Sequence, residues 1–169
     1  MNDLTFTRSR TGLGYPQTAK LVRRAVDTTL KAEGIEAPCA VEILLTDDET
    51  IREINREHRD VDRATDVLSF PMNELTPEAF DPDGCEYDYD RACILLGDMV
   101  ISMERCAAQG AEYGHGYAHE VMYLAVHSTL HLLGYDHLDE GARKRVMRTR
   151  EKAIMALLEQ SEDRAEGKA

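Results

Sequence analysis

The side chains able to do chemistry are concentrated in one stretch, His127-Ser128-Thr129-Leu130-His131-Leu132-Leu133-Gly134-Tyr135-Asp136-His137, which holds three of the chain's six histidines. His127 and His131 are four residues apart, so on a helix they project from one face with Cβ atoms about 6 Å apart. Two imidazoles so placed can grip one metal ion. Gly134 lets the chain leave the helix through a positive-φ turn. Tyr135 and Asp136 carry it around, and His137 can return as a third nitrogen ligand. Three protein ligands leave the fourth tetrahedral position of Zn²⁺ open, the pattern of a catalytic rather than a structural site. One zinc ion per chain is therefore expected, although imidazoles also suit Ni²⁺, Cu²⁺ and Fe²⁺. The competing reading is a buried helix with three solvated or hydrogen-bonded histidines.

The spacing matches the metzincin zinc proteases, H-E-x-x-H-x-x-G-x-x-H. Those enzymes carry a glutamate directly after the first histidine as general base, and Ser128 stands there in this chain. A serine hydroxyl cannot replace a carboxylate in activating water. The remaining candidates for a base are Asp136 and Glu120. Glu120 lies seven residues before His127, two helical turns away on nearly the same face. Asp98 is a charge inside an apolar run and must find a partner. It either orients a ligand histidine or accepts backbone hydrogen bonds.

The histidine stretch resembles the signature H-G-x-L-H-L-x-G-Y-D-H of the YbeY family, bacterial metal-dependent endoribonucleases of ribosomal RNA maturation. Ser128 departs from it, where glycine is usual. Ile54-Asn55-Arg56-Glu57-His58-Arg59 resembles the family's L-N-x-x-Y-R, with His58 in place of the tyrosine. Thr65 to Pro71 resembles P-T-D-V-L-S-F-P, with Ala64 in place of its first proline. Leu96 to Ser102 is similar to L-G-D-I-V-I-S, and His119-Glu120-Val121 stands where the family has R-E-L. The resemblance covers residues 40 to 158.

It implies a single-strand-specific endoribonuclease acting in maturation of the small-subunit rRNA 3′ end and in ribosome quality control. It also implies partners in the small ribosomal subunit or its assembly factors, and a catalytic role for Arg59. The chemistry agrees, because phosphodiester cleavage builds negative charge that a planar guanidinium fork can meet. Read without the resemblance, Arg59 is a surface residue capping the end of a helix. Two alternatives remain: a metalloprotease, or a non-catalytic ribosome-assembly factor whose metal stiffens the fold.

A net charge of −12 makes the chain a poor generic nucleic-acid binder, so RNA must be met by a local basic patch. Arg143, Lys144, Arg145 and Arg148 supply a candidate. Between residues 141 and 152 the basic side chains face only Glu151. They read as an RNA-backbone surface or as a solvated helix face. No DNA is expected as a partner. Residues 1–10 lack an apolar run, so no secretory signal is expected, and no stretch is long and apolar enough to span a membrane. Cys39, Cys85, Cys93 and Cys106 form no C-x-x-C pair and read as reduced thiols of a cytoplasmic protein.

Around these residues the pattern predicts strands at 3–8, 39–45, 66–70 and 93–101. Helices are predicted from Pro16 to Gly34, from a Thr46 or Asp47 cap to Arg59, and from Ser102 to Gly110. Two more are expected at 117–133 and, after an Asp139 cap, at 140–159. On the histidine helix Val121, Leu124, Ala125, Ser128 and Leu132 form an inward stripe. Residues 72–90 are acidic with no basic residue and read as a long exposed loop, either merely solvated or a flap that screens the site from anions. The fold class is a single α/β (α+β) domain over residues 1–158, with a roughly four-stranded mixed sheet, about five helices and a frayed polar tail at 159–169.

Overall fold

The structure, a computed structural model, describes residues 1–8, 17–77, 79–136 and 141–167. The expectations placed on Pro16, His137 and Asp139 fall outside the described residues. In chain order the elements are β1 (Asp3–Arg8), α1 (Thr18–Ala32), β2 (Cys39–Thr46), α2 (Asp48–Arg59), β3 (Val67–Pro71), β4 (Tyr87–Asp88), β5 (Cys93–Ser102), α3 (Met103–Glu112), α4 (Gly116–Leu132) and α5 (Ala142–Glu166). The sheet order is β1-β2-β5-β3, and β4 also pairs with β5. β1, β2 and β5 are parallel, while β3 and β4 run antiparallel to β5. Pro71, which cannot donate to a ladder, sits at the end of β3 on the sheet edge, where such a residue is tolerated.

Both faces of the sheet are used. Val41, Ile43, Leu45, Met99 and Ile101 face the main core with α1, α3, α4 and α5. Leu44, Leu68 and Val100 face Ile51 and Ile54 of α2 on the other side. Asp47 caps α2 by accepting the Thr50 N–H at 2.8 Å, and Asp60 ends it in a left-handed conformation, φ 54°. That reversal makes Arg59 the last helical residue and turns the chain back toward β3.

The histidine helix α4 lies in the middle of the main layer, against β3, β5, α1, α3 and α5. It therefore buries more than the expected stripe: Met122, Val126, Thr129 and Leu130 are enclosed along with Val121, Leu124, Ala125, Ser128 and Leu132. Beyond its first turn, its half-open positions fall at four-residue spacing, His119, Tyr123, His127 and His131. One open seam on an otherwise buried stretch of helix is thus the seam that carries the imidazoles.

Two expectations change. The described residues of 72–90 are strapped down as well as exposed. The Asn73 amide donates to the Leu95 carbonyl at 2.8 Å and accepts the Glu86 N–H at 2.7 Å, β4 joins the sheet, and Leu75, Phe80 and Cys85 pack on the core. The residues from 159 onward continue α5 to Glu166 instead of fraying, because Arg24 of α1 binds Glu162, Ser161 and the Leu158 carbonyl. Among the described residues, no helix is long and apolar enough to cross a membrane. All four cysteines are free thiols, and burial pushes Cys39 up to about 12.

Leu132 is fully enclosed under the histidine pair, whereas Leu157 of α5 is 46% exposed. Leu132→Ala is expected to cost about 2–5 kcal/mol, read as a lowered urea midpoint, and Leu157→Ala less than about 0.5. Equal effects would mean that the buried face of α4 is misassigned.

Candidate metal centre

The Nε2 atoms of His127 and His131 lie 3.0 Å apart, with the rings edge-on at 83°. What aims them is bonded to the other side of each ring. His127 Nδ1 is 2.6 Å from Oε1 of Glu151 on α5, and His131 Nδ1 is 2.9 Å from the Tyr135 carbonyl. A carboxylate and a carbonyl can only accept, so both Nδ1 atoms carry the hydrogen. In two neutral rings both Nε2 atoms then present lone pairs to each other at 3.0 Å. Two Nε2 lone pairs this close can share one cation, so the donor set fits a divalent ion.

Glu151 is a buried carboxylate that also accepts the Tyr123 hydroxyl at 3.0 Å. Burial alone would raise its pKa. The hydrogen bonds that His127 and Tyr123 donate to it work against burial, and its pKa is held below the ordinary value. It is therefore ionised at neutral pH and fixes the tautomer of His127.

The turn after α4 is equally constrained. Gly134 has φ 95°, and a Cβ there would fall 2.0 Å from the Leu75 carbonyl oxygen, so no other residue fits this backbone without moving the strap. Tyr135 is anchored from behind. Its hydroxyl donates to Glu33 Oε2 at 2.6 Å, and Arg150 Nε donates to the other Glu33 oxygen at 2.7 Å. The Tyr135 carbonyl is thereby delivered to His131.

Both histidines line a cleft of about 590 Å³ together with Arg59, Arg63, Ser69 and Asp136. Arg59 spends one N–H on the Ser69 carbonyl at 2.7 Å and lies 5.4 Å from the Phe70 ring centroid, while its side chain remains exposed. Its other N–H groups face solvent or cleft. Asp136 pairs with Arg143 at 3.3 Å on the cleft rim.

Other sequence candidates lie elsewhere. Glu120 is 2% exposed and bonded to His115, away from the cleft lining. Asp98 stands beside Glu42 on the outer sheet face, in a cavity it shares with His58 and Phe70; burial, then the Glu42 charge, raises its pKa. It touches neither histidine, and the orienting acceptor is Glu151 instead. Arg148 lines a separate groove between α4 and α5, and Arg145 is exposed. Lys144 is half-buried on α5. Ser128 points inward to Ser69, 2.6 Å away and fully enclosed, which accounts for its neutral character beside the first histidine.

Glu151→Gln keeps an acceptor but loses the charge that fixes the Nδ1 hydrogen. It is expected to weaken zinc binding about 10–100-fold with the circular dichroism unchanged, measured by competition with a chelating dye. Unchanged affinity would show that Glu151 does not orient His127.

A family model described as Endoribonuclease YbeY matches residues 4–159. Over 148 residues the chain is 47% identical to the Endoribonuclease YbeY of Desulfitobacterium hafniense, covering 88% of this chain and 85% of that protein. Over 143 residues it is 43% identical to the Endoribonuclease YbeY of Clostridium kluyveri, covering 80% and 86%. The solution structure of TM1509 from Thermotoga maritima matches at TM-score 0.56 and 21% identity over 90% of this chain and 86% of that one, a likeness of fold. The family match over nearly the whole chain, together with these identities, means that the chain belongs to the YbeY endoribonuclease family.

Proposed function

We propose that this protein is an endoribonuclease that cleaves single-stranded RNA in the maturation of ribosomal RNA, at the small-subunit 3′ end and in ribosome quality control. It works in the cytoplasm on the small ribosomal subunit or its assembly intermediates. The observation that carries the reading is one cleft holding two convergent imidazoles, an exposed arginine and an aspartate. His127 and His131, with His137 as third ligand, would hold one Zn²⁺. When bound, such an ion supplies Lewis-acid polarisation of a phosphoryl oxygen and acidifies water.

The chain's own residues do the rest. Arg59 presents N–H groups to the non-bridging oxygens, where charge grows in the transition state. The Ser69 carbonyl and the Phe70 face hold its guanidinium in place, so little ordering is left to the substrate. Of the two carboxylates proposed as base, Asp136 lines the cleft and Glu120 does not, so Asp136 is the acceptor assigned to the attacking water. Arg63 in the lining and Arg143 at the rim extend the positive surface along a phosphate backbone. The protease alternative lacks the glutamate its pattern needs after the first histidine, and the Ser128 that stands there is sealed against Ser69.

Arg59→Ala is expected to keep its fold and its metal while losing RNA cleavage by at least about a hundredfold, since one preorganised donor contributes roughly 2.7–4 kcal/mol. Arg59→Lys recovers only part, lacking the planar fork. His131→Ala is expected to lose most of the metal bound at this centre and all cleavage. The assay uses purified protein on single-stranded RNA, duplex RNA and casein, with and without chelator. Wild-type cleavage by metal-loaded Arg59→Ala would refute its role. Chelator-insensitive or absent RNA cleavage by the wild type would favour a scaffold.

A further inference from the structure

We propose a second divalent-cation site at the amino end of α4, formed by His115, His119 and Glu120. Each residue offers one ligand atom, and the three atoms lie within 4.8 Å of one another. His115 Nε2 is 2.6 Å from Glu120 Oε2, and the two imidazoles lie 4.2 Å apart at 38°. His115 is the N-cap residue of α4, yet its side chain makes no capping hydrogen bond.

Two features ask for a cation. Glu120 is a carboxylate only 2% exposed, and among the described residues no lysine or arginine pairs with it. A buried anion without a cationic partner is costly. Separately, His119 Nδ1 is enclosed and has no hydrogen-bond partner, while its Nε2 faces Glu159 at 3.6 Å. A buried polar nitrogen left unmatched calls for a partner such as a bound ion.

Two imidazole nitrogens and one carboxylate oxygen suit Zn²⁺ and its first-row neighbours rather than Mg²⁺ or Ca²⁺, which take all-oxygen cages. The helix dipole opposes a cation at this end by about half a charge, and the full charge of Glu120 outweighs it. Glu120 and His127 are seven residues apart on one helix, about 10 Å along the axis. Paired catalytic metals sit about 3.5–4 Å apart, so this ion takes no part in the cleft chemistry. It is a clasp. It ties the link before α4 to the first turns of that helix, where α3 already comes so close that a Cβ on Gly110 would lie 2.6 Å from the Gly116 backbone.

The test uses the full chain, stripped of metal by chelator and then titrated with ZnCl₂. Bound zinc is counted by mass spectrometry after gel filtration, and thermal midpoints are read at each equivalent. The expected counts are two ions for the wild type and one each for His119→Arg, His115→Ala and His131→Ala. The second equivalent should raise the midpoint of the wild type and leave that of His119→Arg unmoved. His115 and His119 are both partly exposed, so the two variants test the site independently and folding is checked by circular dichroism. A wild type that saturates at one ion overturns the proposal. Folded His119→Arg and His115→Ala proteins that both still take two ions overturn it as well.

Discussion

The architecture depends on two hydrogen bonds made on the far side of the imidazoles, His127 Nδ1 to Glu151 and His131 Nδ1 to the Tyr135 carbonyl. An imidazole that is free to turn offers either nitrogen. One that is held by an acceptor at Nδ1 offers only Nε2, in one direction. Several features of the fold follow from meeting that demand. α5 must cross α4 so that Glu151 reaches His127. The chain must reverse sharply at Gly134, in a backbone conformation that leaves no room for a side chain. Tyr135 must be pinned to Glu33 and Arg150 so that its carbonyl does not drift. The rest of α4 is then committed to the core, and burial on nearly every other side makes the helix a rigid mount.

The same arrangement shows how an acidic chain can meet a polyanion. The formal charge of −12 is spread over the surface, but the cleft lining carries Arg59 and Arg63, with Arg143 at its rim. Few phosphates are neutralised by so small a patch, and each contributes only about 0.7 to the salt slope for a single strand. Under the proposed function, recognition would fall on shape and on the oriented guanidinium of Arg59 more than on bulk charge. The Phe70 ring beneath that guanidinium belongs to β3, and β3 is also the strand that seals Ser128.

Much of this was legible in the chain. The histidine pair, the turn at Gly134 and the helix-ending Arg59 all rest on local spacing, and local spacing survives folding. Leu124 and Leu132 are buried as their periodicity requires. What was hidden depends on contacts between distant segments. Glu151 is 24 residues from His127, and its one signal was to be the lone acid in a basic helix stretch. Asp98 drew notice as a charge in an apolar strand, but alternation turns it to the outer face beside Glu42, away from the histidines. Glu120 shares the helix with His127, yet it is turned into the interior toward His115. The continuation of α5 to Glu166 hangs on Arg24, more than a hundred residues earlier in the chain, and no local pattern announces it.

The central claim is that both histidines bind through Nε2 because both Nδ1 atoms are already spent. Crystals of the zinc-loaded protein, with diffraction recorded on either side of the zinc absorption edge, test this most directly. The account predicts an anomalous peak about 2.0–2.1 Å from both Nε2 atoms, with Glu151 and the Tyr135 carbonyl still bonded at Nδ1. An ion bound through Nδ1 of either ring, or no peak between the two imidazoles, would contradict it.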